Sequence, residues 1–283
     1  LIPLWIADMD FSVSPAIVKA LKKRMEHQIY GYSDCSDRYY ESVINWMSRR
    51  HDWQIEKEWI VYAPGVVPAL SYSIRAFTEP GDNIIIQSPV YHPFYSTIES
   101  NGRNVVTNPL IYKDGKYYMD YVDLERKIDS KTRMLILCSP HNPVGRVWTK
   151  EELLRLGEIC IKNDIILVSD EIHFDLVYRG HKHTVMASIS PEIADRCIVL
   201  TSPSKTFNIA GLQIANAIIS NESLRERYIR ELEKDHIVRP NIFGERALIV
   251  AYDQSEDWLE DLLDYLEENK NFFIEYMHKI YLS

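Results

Sequence analysis

A chain of 283 residues with 46% hydrophobic and 26% charged residues has the composition of a globular enzyme, and its length suits one large α/β domain plus part of another. The net charge of −9 and pI of about 5.5 argue against nucleic acid as a partner, and no apolar run reaches the roughly 18 residues of a membrane helix. Cys35, Cys138, Cys160 and Cys197 are scattered without a C-x-x-C pair, which fits reduced thiols in a cytoplasmic protein.

The chain opens on Leu1, without Met and without a secretory pattern, so its true N-terminus is expected to lie upstream. Residues 1–11 (LIPLWIADMDF) are apolar and interrupted by Pro3, and read as an extended arm. Ser14-Pro15 supplies an N-cap and a first helical position for a helix over 15–28. Residues 30–34 (YGYSD) read as a turn, and a second helix over 37–50 carries Tyr40, Val43, Ile44 and Met47 on one stripe.

From Trp59 onward short apolar strands alternate with helices. Strands are expected at 59–62, 83–87, 104–108, 133–138, 165–169, 196–201 and 214–219, and helices over 66–77, 93–101, 120–128 and 150–163. Lys113-Asp114-Gly115-Lys116 has hairpin-turn chemistry. Near-continuous apolar strands in this alternation predict a mainly parallel seven-stranded sheet covered by helices, and such sheets bind ligands at the carboxyl ends of their strands. After Asn221 the chain is helical and charged, with a long helical tract over 241–282 broken near 253–256. The acidic run 256–269 reads as a solvated helix face. The apolar Phe272, Phe273, Ile274, Tyr276, Ile280 and Tyr281 have no later element to pack against.

The chemistry gathers at strand ends. Ser202-Pro203-Ser204-Lys205 follows the apolar run Cys197-Ile198-Val199-Leu200. A lysine leaving a buried strand between hydroxyls can form a Schiff base with an aldehyde cofactor while the hydroxyls take its phosphate. Alone, such a lysine is more often a loop residue. The strand at 165–169 delivers Asp170 at its end, and a buried carboxylate there keeps the ring nitrogen of pyridoxal phosphate protonated. An N-cap role for Asp170 is equally natural. His173, three residues on, could hydrogen-bond the cofactor's phenolic oxygen, as could the Asn142 amide of Ser139-Pro140-His141-Asn142-Pro143, although Asn-Pro is also plain turn chemistry. Ala63-Pro64-Gly65-Val66-Val67 opens a helix whose first amides are an anion site. Tyr91, in Ser88-Pro89-Val90-Tyr91-His92-Pro93, could stack on a flat ring or belong to the core.

Taken together, WIADMDF, YGYS, APGVVPAL, PVYHPF, SPHNPVGRVWT, SDEIH and SPSKTFNIAGL resemble the class I/II aminotransferase family of fold-type-I pyridoxal-phosphate enzymes, most closely its C–S lyase branch, the cystathionine β-lyases. The resemblance runs through the whole chain. It implies that Lys205 is the Schiff-base lysine, that Asp170 pairs the pyridine nitrogen, that Asn142 and His173 serve the phenolic oxygen and that Tyr91 stacks on the ring. It further implies that Val66, Val67, Ser202 and Ser204 hold the phosphate, and that Tyr32 reaches the phosphate of a neighbouring subunit, so that the active unit is a homodimer with a shared site. Ala7 and Asn142 become candidates for the carboxylate of a small amino-acid substrate. Residues 1–30 then read as arm and first helix, 31–250 as the large cofactor-binding domain, and 251–283 as the start of a truncated C-terminal small domain that would have carried the family's carboxylate-gripping arginine.

One departure bears on the reaction: aspartate-aminotransferase relatives carry a phosphate-binding arginine eight residues after the lysine, where this chain has Gln213. The first expectation is therefore a β-lyase releasing thiol, pyruvate and ammonia. An aminotransferase and a pyridoxal-phosphate-binding regulatory protein are the alternatives. His181-x-His183 lacks the further ligands of a zinc set, so residues 179–183 read as a surface loop and no metal is expected.

Overall fold

A computed structural model describes residues 7–281; residues 1–6 of the expected arm, and residues 282 and 283, lie outside the described residues. Helix α1 (Pro15–Glu26) begins at Ser14-Pro15 and stops at His27, whose backbone turns extended. Helix α2 (Asp37–His51) is capped by the Ser36 hydroxyl, which accepts from the Tyr39 amide. Strand β1 (Ile60–Ala63) starts one residue later than its pattern suggested, because Trp59 closes a short 3-10 turn (Lys57–Trp59).

Beyond β1 come α3 (Val66–Phe77), β2 (Asn83–Ile86), α4 (Pro93–Ser100), β3 (Asn104–Thr107) and the hairpin β4 (Ile111–Lys113) with β5 (Lys116–Tyr118). The hairpin turns on Asp114 and Gly115, both at positive φ, as an Asp-Gly turn requires. Then follow α5 (Tyr121–Lys127), whose cap is the Asp120 carboxylate, β6 (Thr132–Cys138) and α6 (Lys150–Lys162), which opens on a capping box between Thr149 and Glu152. Next are β7 (Ile166–Asp170), α7 (Pro191–Ala194), β8 (Cys197–Thr201), α8 (Pro203–Thr206) and β9 (Ala215–Ile218). The chain continues in α9 (Glu222–Lys234), α10 (Ile242–Gln254) and α11 (Glu256–Tyr281). The expected break in the last tract is a single residue, Ser255.

The seven-stranded sheet has the order β1-β9-β8-β7-β6-β2-β3, and every neighbouring pair is parallel except the two made by β9. Alternate residues of each strand face opposite layers. Ile84, Ile86, Met134, Ile136, Val168, Ile198 and Leu200 pack under α3, α4 and α9, while Ile85, Leu135, Leu137, Leu167, Cys197 and Val199 pack under α2, α6 and α10. Burying both faces is why the strands read as unbroken apolar runs. The position 250/251, at which the family resemblance implied a division, falls inside α10, which packs against α1 and α2.

The acidic run on α11 is not simply solvated. Glu256 pairs with Arg49 and Arg50 of α2, Glu260 with Arg50, and Asp264 with Arg179. A solvated face and an ion-paired face have the same sequence signature, since only the neighbouring helix distinguishes them. The apolar residues Phe272, Phe273, Ile274, Tyr276, Ile280 and Tyr281 are exposed, as their pattern predicted.

Candidate active site

Parallel strands point their carboxyl ends one way, and the sequence-predicted residues collect there. Lys205 sits on α8 directly after β8, Asp170 is the last residue of β7, Asn142 lies just past β6, and Tyr91 follows β2. Asp170 lies opposite Cys138 in the β6–β7 register.

Asp170 is buried, with only 4% of its surface exposed, and burial pushes its carboxyl up to about 7, with the Glu171 charge adding to the rise. Its Oδ1 accepts from the Ile172 amide at 3.1 Å, which opposes that rise and also caps the turn. Among the described residues no cation pairs with it. A buried carboxylate in that setting suits a cationic N–H donor. Half-buried Tyr91 stands close enough that the Asp170 charge, after burial, raises its phenol. Its ring meets Phe94 edge-on at 6.1 Å.

His173 and Lys205 come from different elements yet lie together. Burial, then the Lys205 ammonium, pushes the imidazole down to about 4, so it is neutral near pH 7 and can exchange a hydrogen bond. The Asn142 amide N–H donates to Cys138 Sγ at 3.3 Å, and burial of Cys138, with Asp170 nearby, pushes its thiol up so that it stays neutral. The His141 ring donates from Nε2 to the Pro89 carbonyl at 2.9 Å, which ties the Asn142 loop to the loop carrying Tyr91.

The start of α3 offers two amides. Val66 and Val67 are the first helical residues, Pro68 has no N–H, and the Ala69 amide is taken by the Gly65 carbonyl at 2.9 Å. The two serines beside Lys205 differ. Ser202 is buried, accepts from the Ser204 amide at 3.0 Å and donates its single hydroxyl proton to the Ile214 carbonyl at 2.6 Å. In this structure Ser202 thus caps α8 and joins it to the Ile214 carbonyl. Ser204, partly exposed, meets it at 2.8 Å. Gln213 is exposed, in the left-handed conformation.

Asn208 holds the arm against this site. Its Oδ1 accepts from the Met9 amide at 3.2 Å, and its Nδ2 donates to the Met9 and Phe11 carbonyls at 3.0 and 3.1 Å. Ala7 thereby lines an open cleft of about 860 Å³ with Asn142, His173, Tyr112, Tyr117 and Tyr178. Tyr32 stands apart, 96% exposed on the loop before α2, with the Arg239 guanidinium over its ring at 5.9 Å.

Sequence reasoning missed the polar support behind the site. His183, expected on a surface loop, is buried with its Nε2 2.7 Å from Glu171 Oε2, and Glu171 Oε1 takes the Ser169 hydroxyl and the Met186 amide. Asp175 gathers Trp46, His51 and Thr206. The one available signal was the density of acids in Asp170-Glu171-Ile172-His173-Phe174-Asp175, which an isolated segment cannot resolve into partners.

The chain belongs to the class I and II aminotransferase family, whose model matches residues 1–283. Within it the chain is cystathionine β-lyase-like. It is 46% identical over 271 residues to cystathionine beta-lyase PatB of Bacillus subtilis (strain 168), covering 95% of this chain and 70% of that one. Its fold is similar to cystalysin from Treponema denticola, which contains pyridoxal 5'-phosphate, with TM-score 0.94, 40% identity and coverage of 98% and 71%. It also resembles the pyridoxal-phosphate-bound C–S lyase from Staphylococcus hominis, with TM-score 0.93, 35% identity and coverage of 99% and 71%.

Proposed function

We propose that this protein is a pyridoxal-phosphate-dependent C–S β-lyase that cleaves cystathionine or cysteine-type amino acids to a thiol, pyruvate and ammonia. The observation that carries it is the placement of Lys205 beside a neutral His173, with the buried Asp170 carboxyl on the adjoining strand end. Pyridoxal phosphate, when bound, supplies an aldehyde that condenses with amines and a ring that draws off the electron pair left at a substrate Cα.

Each residue then has a task. The Lys205 amine would hold the aldehyde, and its Nζ, when free, would serve as the base for the substrate Cα proton. Asp170 keeps its partner ring nitrogen protonated. Asn142 and His173 would offer N–H donors to the phenolic oxygen, and Tyr91 would stack on the ring. The Val66 and Val67 amides and the Ser204 hydroxyl bind the phosphate, with Ser202 aligning that end of α8. Ala7 and Asn142 face the substrate carboxylate. Tyr32, uncovered in its own chain, reaches the site of a second copy, so the working unit is a homodimer in a reducing, cytoplasmic compartment.

Borohydride reduction followed by peptide mapping should place the cofactor on Lys205, and incubation with cystathionine should release thiol and pyruvate in equal amounts. Amino-group transfer to a keto acid without thiol release would identify an aminotransferase instead. Label on Lys205 with neither reaction would point to the regulatory alternative.

A further inference from the structure

Lys205 and His173 stand on elements that are not joined by the sheet's hydrogen bonds: α8 and the turn after β7. A buried carboxylate connects them. Asp175, two residues past His173, has a fully buried side chain whose Oδ2 accepts from the Thr206 hydroxyl at 2.8 Å. Its Oδ1 accepts from Trp46 Nε1 at 3.2 Å and from His51 Nε2 at 2.9 Å, and the Arg50 guanidinium stands 3.8 Å away. Thr206 is the residue after Lys205 and is itself fully buried.

Helix α8 has four residues, too few to persist through its own backbone bonds. It is held at the front by the Ser202 cap and at the back by the Thr206–Asp175 bond. Apolar packing would serve stability as well, since a buried carboxylate costs desolvation energy. What a carboxylate adds is direction: it accepts from donors along fixed lines, and here those lines run to α2 on one side and to the residue beside Lys205 on the other.

We propose that Asp175 and Thr206 are positioning residues that hold the Lys205 amine against His173 and the Asp170 strand end. This rests on the assignment of Lys205 as the cofactor lysine. Thr206→Val keeps shape and removes the hydroxyl. It should lower kcat by about 10- to 100-fold, the scale of a sub-ångström to ångström misplacement of a reacting group. KM for cystathionine should move less than about threefold, because the groups that bind substrate are unchanged. Amide hydrogen exchange at residues 205–207 should quicken, a readout independent of turnover. Thr206→Ser, which restores the hydroxyl, should recover most of both. If the valine variant fails to fold, Asp175→Asn, which keeps volume and loses the charge, is read by the same measurements.

Wild-type kcat in Thr206→Val, or a serine variant as impaired as the valine one, would overturn the inference even if thermal stability fell. Borohydride label on a lysine other than Lys205 would instead overturn the assignment on which it rests, and the inference with it.

Discussion

Asp170 and His173 lie three residues apart, and burial pushes them in opposite directions: the carboxyl up to about 7 and the imidazole down to about 4. For the carboxyl, folded and unfolded chains are both protonated below about pH 4. As pH rises from there to about 7 the unfolded chain ionises first, so stability is lost across that window, on the order of 4 kcal/mol in all. In protein stripped of cofactor, Asp170→Asn should match wild type near pH 4 in denaturant melts and exceed it at pH 8. Parallel stability curves for the two proteins would contradict this. His173 acts with the other sign, its contribution complete above pH 6.5 and lost as pH falls through about 4, so the test compares the two proteins at each pH and not the wild-type curve alone. With cofactor bound the same substitution should cost several orders of magnitude in turnover if, as proposed, Asp170 is the carboxylate that keeps the ring nitrogen protonated. The residue that improves the empty protein is the one the reaction cannot use, which is the usual relation between a buried functional charge and stability.

At the scale of elements, the site depends on segments that approach it closely from outside the sheet. Helix α10 comes so near the loop after Lys205 that a Cβ on Gly244 would lie 2.5 Å from the Leu212 carbonyl oxygen and 2.8 Å from Asn241 Nδ2. The first of these atoms is backbone, so Gly244→Ala should shift residues 210–212 and cost about 1–3 kcal/mol of stability, measured by denaturant melts. An alanine variant as stable as wild type would show that this approach is looser than described. The arm depends on Asn208. Asn208→Ala removes three hydrogen bonds to Met9 and Phe11 and should speed chymotrypsin cleavage after the already exposed Phe11. If Ala7 lines the substrate carboxylate, KM should rise by about three- to tenfold while kcat changes little, the mark of lost uniform binding. Equal falls in kcat and kcat/KM would place the arm in the chemical step instead. Ion pairs from Arg49 and Arg50 to Glu256 and Glu260 fix α11 to α2, and Arg50 also faces Asp175, so the support behind Lys205 continues into the last helix.

The whole molecule raises the question of Tyr32, an aromatic that is 96% exposed on the loop before α2. A shared site in a two-fold dimer has a direct test. Lys205→Ala and Tyr32→Phe subunits, each inactive alone, should regain activity when mixed and allowed to exchange. Random pairing puts one intact site in half the dimers, giving about a quarter of the wild-type rate. No recovery after confirmed exchange would confine each site to one chain. Among the described residues no helix is long and apolar enough to cross a membrane.

Much of this was legible in the linear sequence because the signals are local. Strand and helix types follow from apolar runs and turn residues over a few positions, and the sheet's ends could be matched to Asp170, Asn142, Tyr91 and Lys205 because each lies at or within a few residues of the end of its own strand. Local chemistry also fixed the Asp-Gly hairpin. Contacts between distant segments were not legible. Thr206 meets Asp175 across 31 positions, and Asp175 meets His51 across 124. His183 finds Glu171 by folding its loop inward, and Ser202 is committed to Ile214 by the return of β9. The acids of α11 found arginines on α2. In each case the sequence determined which groups could donate, accept or ionise. Only the tertiary structure decided which were buried and which partners they met, because desolvation and hydrogen-bond direction are properties of the packed neighbours and not of the residue itself.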